Sequence, residues 1–359
     1  MGPNGGGDVH QSADRRGDQS IETFLSGSTA QLHAYAPPVT GKGLAPATAW
    51  GKGEVRGVPS LRSRALSAAL IAAGRRRRYA SAEAVRTRVA ESARRPASHL
   101  PPRWLGRVAD ISRTFVGAWP VYDVSPLGTE PAAHVLYVHG GGYIHELVRP
   151  HWALIRTLVT QARARVVVPA YILAPRGTAD RTVPIAADLL SGLIASGGSA
   201  GTVLIGDSAG AGLALAAAQR LRDRTGDQPS RIVLISPWLD VTMSHPDQAA
   251  LEAADPLLAR PGLLEAGRLY AGTLAADDPR VSPLHGGFAG LAPMTVFTGT
   301  RDVLATDSRE LLRRARAEGA EVEFHEAAGL PHGYPLLPVP EGRAARERIV
   351  ELIRSTAEL

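Results

Sequence analysis

The sequence predicts an α/β protein with a mostly parallel central sheet covered by helices on both faces. Three observations carry this reading. From residue 111 onward, short apolar and β-branched runs alternate with longer Ala/Leu-rich or amphipathic stretches. Runs such as His134–Val138 and Gly201–Ile205 are apolar almost throughout, as strands buried on both faces are. The chain has 359 residues, 44% of them hydrophobic, which is ample for one large core or a core with a small cap.

Residues 1–57 are rich in Gly, Pro, Ser and Thr and show no periodicity, so a disordered leader is expected. Lys42 and Lys52, the chain's two lysines, both lie there, each in a Gly-Lys-Gly; the other 302 residues use Arg alone. The alternative is a start codon set too far upstream, with Val58 as the true beginning. Residues 58–110 read as an N-terminal helical cap segment. Leu61, Ala65, Leu66, Ala69 and Leu70 recur at helical spacing, Ser81 is placed to cap a second helix, and Pro96 to Pro102 end it. The body, residues 111–359, begins with a strand pair, Ile111–Phe115 and Pro120–Val124. It continues with strand His134–Val138, helix Trp152–Ala162, strand Arg165–Tyr171 and helix Val183–Ala195. Strand Gly201–Ile205 and helix Ala211–Arg224 follow, then strands Arg231–Ser236 and Met294–Thr298. Between the last two, residues 240–274 are polar, Pro-interrupted and partly helical, which reads as a cap insertion. Helix Ser308–Glu318, strand Glu321–Glu326 and helix Gly342–Ser355 close the chain.

Composition narrows the function. The formal charge of +6 is local: residues 58–110 carry twelve Arg against three acids, whereas residues 111–359 carry 23 Arg against 26 acids. A nucleic-acid partner is therefore not expected, and Arg75–Arg78 reads as a solvated helix face. No apolar run reaches the length of a membrane span, so no stable membrane insertion is expected. The N-terminus lacks the apolar core of a secretory signal. With no Cys there is neither a disulfide framework nor a cysteine metal site, and the expected setting is cytoplasmic.

The chemistry centres on Gly206-Asp207-Ser208-Ala209-Gly210, set between a predicted strand and a predicted helix. That is the Gly-x-Ser-x-Gly elbow, whose tight turn excludes side chains at both glycines and exposes the serine hydroxyl. A serine needs a base and an acid to orient it, and on a strand–turn–helix elbow these follow in the order Ser, acid, His. Asp302 follows the strand Met294–Thr298, and His332 follows the strand Glu321–Glu326. Asp307 is the rival acid and reads as a helix N-cap. Asp207 and His325 read as structural, and His285 is a weaker alternative to His332. His139-Gly140-Gly141-Gly142 follows a buried strand, where consecutive glycines let backbone N–H groups face an oxyanion. Gly141, Gly142 and Ala209 are the expected donors, and His139 is expected to pin the loop. No Gly-Lys-Ser/Thr follows, which argues against a phosphate loop.

With these residues in hand, the chain resembles the hormone-sensitive-lipase-like, bacterial family IV esterases of the α/β-hydrolase superfamily. The resemblance rests on His139-Gly-Gly-Gly-Tyr143, Tyr171-Ile-Leu-Ala-Pro175, Gly206-Asp-Ser-Ala-Gly210, Asp278-Pro-Arg-Val-Ser-Pro-Leu284, Asp302 and Pro331-His-Gly-Tyr334, over roughly residues 60–357. It implies an α/β-hydrolase fold with a helical cap, and hydrolysis of short to medium acyl esters through an acyl-enzyme, with no cofactor or metal. Lactone, acetyl-ester or amide hydrolysis on the same triad, and a non-catalytic ligand-binding protein on this fold, are the alternatives. A small-molecule ester is the expected partner, and a homodimer through the edge strand Glu321–Glu326 is allowed by analogy. Ile172 and Arg176 depart from the family's usual Arg and Glu, and Ala211 from its usual Gly.

Overall fold

The computed structural model describes residues 58–357; the leader expected over residues 1–57 lies outside them. The strands are β1 (Ala109–Val116), β2 (Trp119–Pro126), β3 (Ala133–Val138), β4 (Ala164–Pro169), β5 (Thr202–Asp207), β6 (Arg231–Ile235), β7 (Met294–Arg301) and β8 (Val322–Pro331). They form one sheet in the order β1-β2-β4-β3-β5-β6-β7-β8. β1 and β2 are an antiparallel hairpin, β2 runs antiparallel to β4, and every pair from β4 to β8 is parallel.

Alternation along the strands divides the core in two. Leu136, Val138, Leu204, Leu234 and Val296 face one side, where they meet α4 (Ala179–Gly197), α5 (Ala209–Thr225) and α8 (Ala305–Ala317). Val135, Tyr137, Val203, Ile205 and Val233 face the other, where they meet α3 (Arg149–Ala162) and α9 (Pro340–Ala357). With both faces covered, the central strands have no polar side, which explains their near-continuous apolar sequences.

Before the sheet come α1 (Leu61–Ala72), a 3₁₀ turn at Arg75–Tyr79 and α2 (Ala82–Arg94); between β6 and β7 come α6 (Gln248–Ala254) and α7 (Arg260–Ala271). Ser81 caps α2 by accepting the Ala84 N–H at 3.1 Å. The two regions meet through ion pairs, Arg76 with Glu252 at 3.2 Å and Arg86 with Glu265 at 3.3 Å. Part of the basic excess of residues 58–110 is thus matched by acids of the insertion.

Three expectations change. α1 forms where the spacing predicts it, but on the expected apolar face Leu61 is 79% exposed, Ala65 and Ala69 are exposed and Leu66 and Leu70 only half-buried, while Ser63 and Ser67 are buried. The reason is polar: Ser63 Oγ donates to Glu341 at 2.6 Å, and the Ser60 N–H donates to the same carboxylate at 2.6 Å. Arg75–Arg78 lies on a short 3₁₀ helix rather than an α-helix, with Arg75, Arg77 and Arg78 exposed as expected. Asp307 is not an N-cap. It is the third residue of α8, is buried, and accepts the N–H groups of Leu239 and Asp240 at 2.8 and 3.0 Å. It pins the loop after β6, and burial pushes its pKa up to about 7.

Candidate active site

β5 ends at Asp207 and α5 starts at Ala209, so Ser208 alone makes the turn, with φ +52° and ψ −124°. That conformation is strained for a residue with a side chain. It is held from both sides: the Ser208 N–H donates to the Ile235 carbonyl at 2.8 Å, and its carbonyl accepts the Trp238 N–H at 3.1 Å. The flanking glycines are obligatory. A Cβ on Gly206 would lie 2.6 Å from the Gly210 carbonyl oxygen, and one on Gly210 would lie 2.2 Å from that of Val138.

Asp302 and His332 are brought together by strand register. β7 and β8 pair in parallel until a bulge between Gly299 and Arg301, after which Arg301 pairs with Pro331. The next residue on each strand is Asp302 and His332. A Cβ on Gly299 would lie 2.2 Å from the Leu330 carbonyl, so the crossing depends on that glycine. His332 Nδ1 lies 2.9 Å from Asp302 Oδ2, and its Nε2 lies 3.0 Å from Ser208 Oγ. The Leu304 N–H donates to the other Asp302 oxygen at 2.9 Å, and the Gly333 N–H to Ser236 Oγ at 2.9 Å, fixing the acid and the histidine loop. Carboxylate, imidazole and hydroxyl in this order are what general-base activation of a serine requires.

The imidazole is largely but not wholly enclosed, which by itself lowers its pKa. The charge and hydrogen bond of Asp302, with the more distant Asp255 and Asp207 carboxylates, outweigh burial and hold it above the ordinary histidine value. Asp255 is a residue that sequence reasoning did not single out. It is buried, and its pKa is pushed up to about 6 by burial and by the Asp302 charge. It accepts the N–H of Val303, the residue after Asp302, at 2.9 Å, and those of Leu257 and Leu258 at 2.7 and 3.0 Å. Its only signal was an Asp-Pro pair inside the 240–274 insertion.

The glycine loop lies directly on the elbow: a Cβ on Gly140 would fall 2.9 Å from that of Ser208. Gly141 and Gly142 take φ +123° and +60°. The N–H groups of Gly141, Gly142 and Ala209 donate to no acceptor among the described residues. Gly140 donates instead to Asp207 Oδ1 at 2.9 Å, and the same oxygen accepts the Tyr137 hydroxyl at 2.6 Å. Asp207 therefore points away from the pocket, as expected, and links the loop to the elbow. Burial raises its pKa, but His151, Tyr137 and Gly140 together hold it below the usual carboxylate range. His139 pins the loop: its Nδ1 lies 2.7 Å from the Gly140 carbonyl, its ring stacks on Tyr171 at 4.4 Å, and its own carbonyl accepts the Tyr171 hydroxyl at 3.0 Å.

The other histidines stand apart. His325 lies on β8, stacks on Phe297 and bonds Glu323 at 2.8 Å; His285 sits 3.5 Å from Asp240. Arg176 is exposed, Ile172 is half-buried, and Ala211 is buried within α5. Among the described residues no group of three or more His, Asp or Glu side chains is arranged to hold a metal ion, and no helix is long and apolar enough to cross a membrane.

This fold with this crest defines the class of α/β hydrolases that carry a serine elbow. Comparison with known proteins agrees. A family profile described as the alpha/beta hydrolase fold matches residues 135–336, and the chain belongs to that family, in its hormone-sensitive-lipase-like esterase branch. It is 37% identical over 205 residues to a triacylglycerol lipase of Mycobacterium tuberculosis, a match covering 57% of this chain but 42% of that one. It is 36% identical over 221 residues to an acetyl-hydrolase of Streptomyces hygroscopicus, covering 59% of this chain and 72% of the other. The structure of a hormone-sensitive lipase from a metagenome library superposes with a TM-score of 0.70 at 26% identity, over 82% of this chain and 98% of that one. An esterase of the bacterial hormone-sensitive lipase family gives 0.65 at 28% identity, over 77% and 98%.

Proposed function

We propose that this protein is a serine carboxylesterase acting on small esters with short to medium acyl chains. The observation that carries the reading is the unbroken chain Asp302–His332–Ser208, at 2.9 and 3.0 Å, beside three unengaged backbone donors. In this reading Ser208 is the nucleophile. As its Oγ attacks the ester carbonyl, His332 Nε2 takes the proton and Asp302 stabilises the resulting imidazolium. The carbonyl oxygen becomes an oxyanion and accepts hydrogen bonds from the N–H groups of Gly141, Gly142 and Ala209, aided by the positive end of α5. The imidazolium then protonates the leaving alkoxide. Water, deprotonated by the same imidazole, hydrolyses the acyl-enzyme.

Residues 58–110 and 240–274 form the cap over this site; their mutual ion pairs and the packing of Tyr79 between α7 and the glycine loop support that assignment. The name of the Streptomyces relative supports the short end of the acyl range. The test is hydrolysis of p-nitrophenyl esters from acetate to palmitate. Activity that peaks on the short esters and disappears in Ser208→Ala supports the reading. A peak at long chains overturns the proposed acyl range, and no hydrolysis of any ester by folded protein overturns the activity.

A further inference from the structure

Tyr79 reaches the glycine loop from outside the α/β body. It is the last residue of the turn Arg75–Tyr79, which Gly74 opens with φ +62°. Its backbone is clamped by α7: a Cβ on Gly262 would lie 2.4 Å from both its Cα and its carbonyl oxygen. Its ring meets His145 edge-on, with centroids 6.0 Å apart. Its hydroxyl lies only 2.7 Å from where a Cβ on Gly142 would stand, so it fills the space that this glycine leaves open.

The residue is 7% exposed, and its hydroxyl makes no hydrogen bond to any described residue. The oxygen itself is not among the buried polar atoms left without a partner, so it opens onto solvent and is free to meet a ligand. The oxygen thus sits at the oxyanion loop with its donor unspent. Burial pushes its pKa well above the ordinary tyrosine value, and the nearby Arg78 charge offsets only part of this, so it stays protonated.

We propose that the Tyr79 hydroxyl is a catalytic group contributed by the N-terminal segment, donating a hydrogen bond to the ester oxygen on which negative charge develops. It is a fourth donor beside Gly141, Gly142 and Ala209, and the proposal rests on the serine-esterase reading above. A donor aimed at developing charge lowers the barrier more than it tightens substrate binding.

The experiment compares wild type, Tyr79→Phe and Ser208→Ala on p-nitrophenyl butyrate. It also measures inhibition by an alkyl trifluoromethyl ketone, whose adduct on a serine carries the same oxyanion. The expected result for Tyr79→Phe is a kcat about tenfold lower with KM within about twofold, and ketone affinity reduced by a similar factor. Its melting temperature should be unchanged or higher, since the hydroxyl has no protein partner to lose. Kinetics and ketone affinity within about twofold of wild type, with Ser208→Ala inactive, would overturn this proposal and leave the serine-esterase reading standing. So would a rise in KM alone, or a lowered melting temperature, which would assign the hydroxyl to ground-state binding or to the fold. Wild type inactive on every ester would remove the serine-esterase reading and this proposal together.

Discussion

Two regions converge on Ser208 and are built on opposite principles. The crest of the sheet is fixed by steric exclusion: Gly206, Gly210 and Gly299 leave no room for a methyl group, and register alone places Asp302 beside His332. In the N-terminal segment, the leading helix and its neighbours are fastened by a few polar contacts, Ser60 and Ser63 on Glu341, Arg76 on Glu252 and Arg86 on Glu265, beside the apolar anchors Tyr79 and Val85. The helix's predicted apolar side faces outward at Leu61, Ala65 and Ala69. The difference teaches that one site can combine a rigid chemical apparatus with a loosely fastened cover. Changes at the crest should act on chemistry or on folding as a whole, and changes in the fastenings of the segment, Tyr79 apart, should act on local stability.

The sharpest test of the crest is removal of the proposed base. His332→Ala should lower kcat by about 10⁴-fold or more while leaving the melting temperature near wild type, because the loop keeps its Gly333–Ser236 bond. A loss under a hundredfold would move the base elsewhere. Next is Gly210→Ala, whose methyl group would press on the Val138 and His139 carbonyl oxygens at 2.2 and 2.3 Å. Backbone has no room to yield there, so a loss of about 3 kcal/mol is expected, read by denaturant unfolding. A neutral result would break the claim that the crest is sterically fixed.

A smaller effect is expected behind the triad. The acid limb of kcat/KM should lie above the ordinary histidine value of about 6.5, since activity is lost as falling pH protonates His332. Asp255, with its own pKa pushed up to about 6, carries charge above that pH and favours the imidazolium there. Asp255→Asn should therefore move the limb to lower pH, with kcat/KM down about tenfold. An unmoved limb would separate Asp255 from the triad. The mildest change lies in the segment: Ser63→Ala should cost about 1 kcal/mol with kcat unaltered. A large fall in kcat would mean that the fastening of the cover and the chemistry are one unit.

The legible parts of the sequence were those where chemistry and local backbone coincide. Ser208, Asp302 and His332 each follow a strand, so chain order identified them. The glycine loop was legible because a run of glycines after a buried strand has few uses. Asp307 was misread because an acid near a helix start is usually a cap, whereas here its carboxylate accepts two N–H groups of a distant loop. Tyr79 carries no local signal and Asp255 only an Asp-Pro pair, since their meaning arises only when an insertion and a leading turn fold back over the crest. α1 shows the remaining limit. Periodicity found the helix, but which side is buried depended on Glu341, 278 residues from Ser63 in sequence.

That same contact has a temporal side. α1 is among the first described elements to leave the ribosome, and the carboxylate that holds it is among the last. Until Glu341 emerges, the segment has no partner at that end, and the eight strands between must already be close to their final order for the two to meet. The exposed Arg62 and Arg64 suit a helix that spends most of synthesis waiting in water. Closure of the hydroxyls of Ser60 and Ser63 on Glu341 is then a late event, which reports that the chain between them has folded.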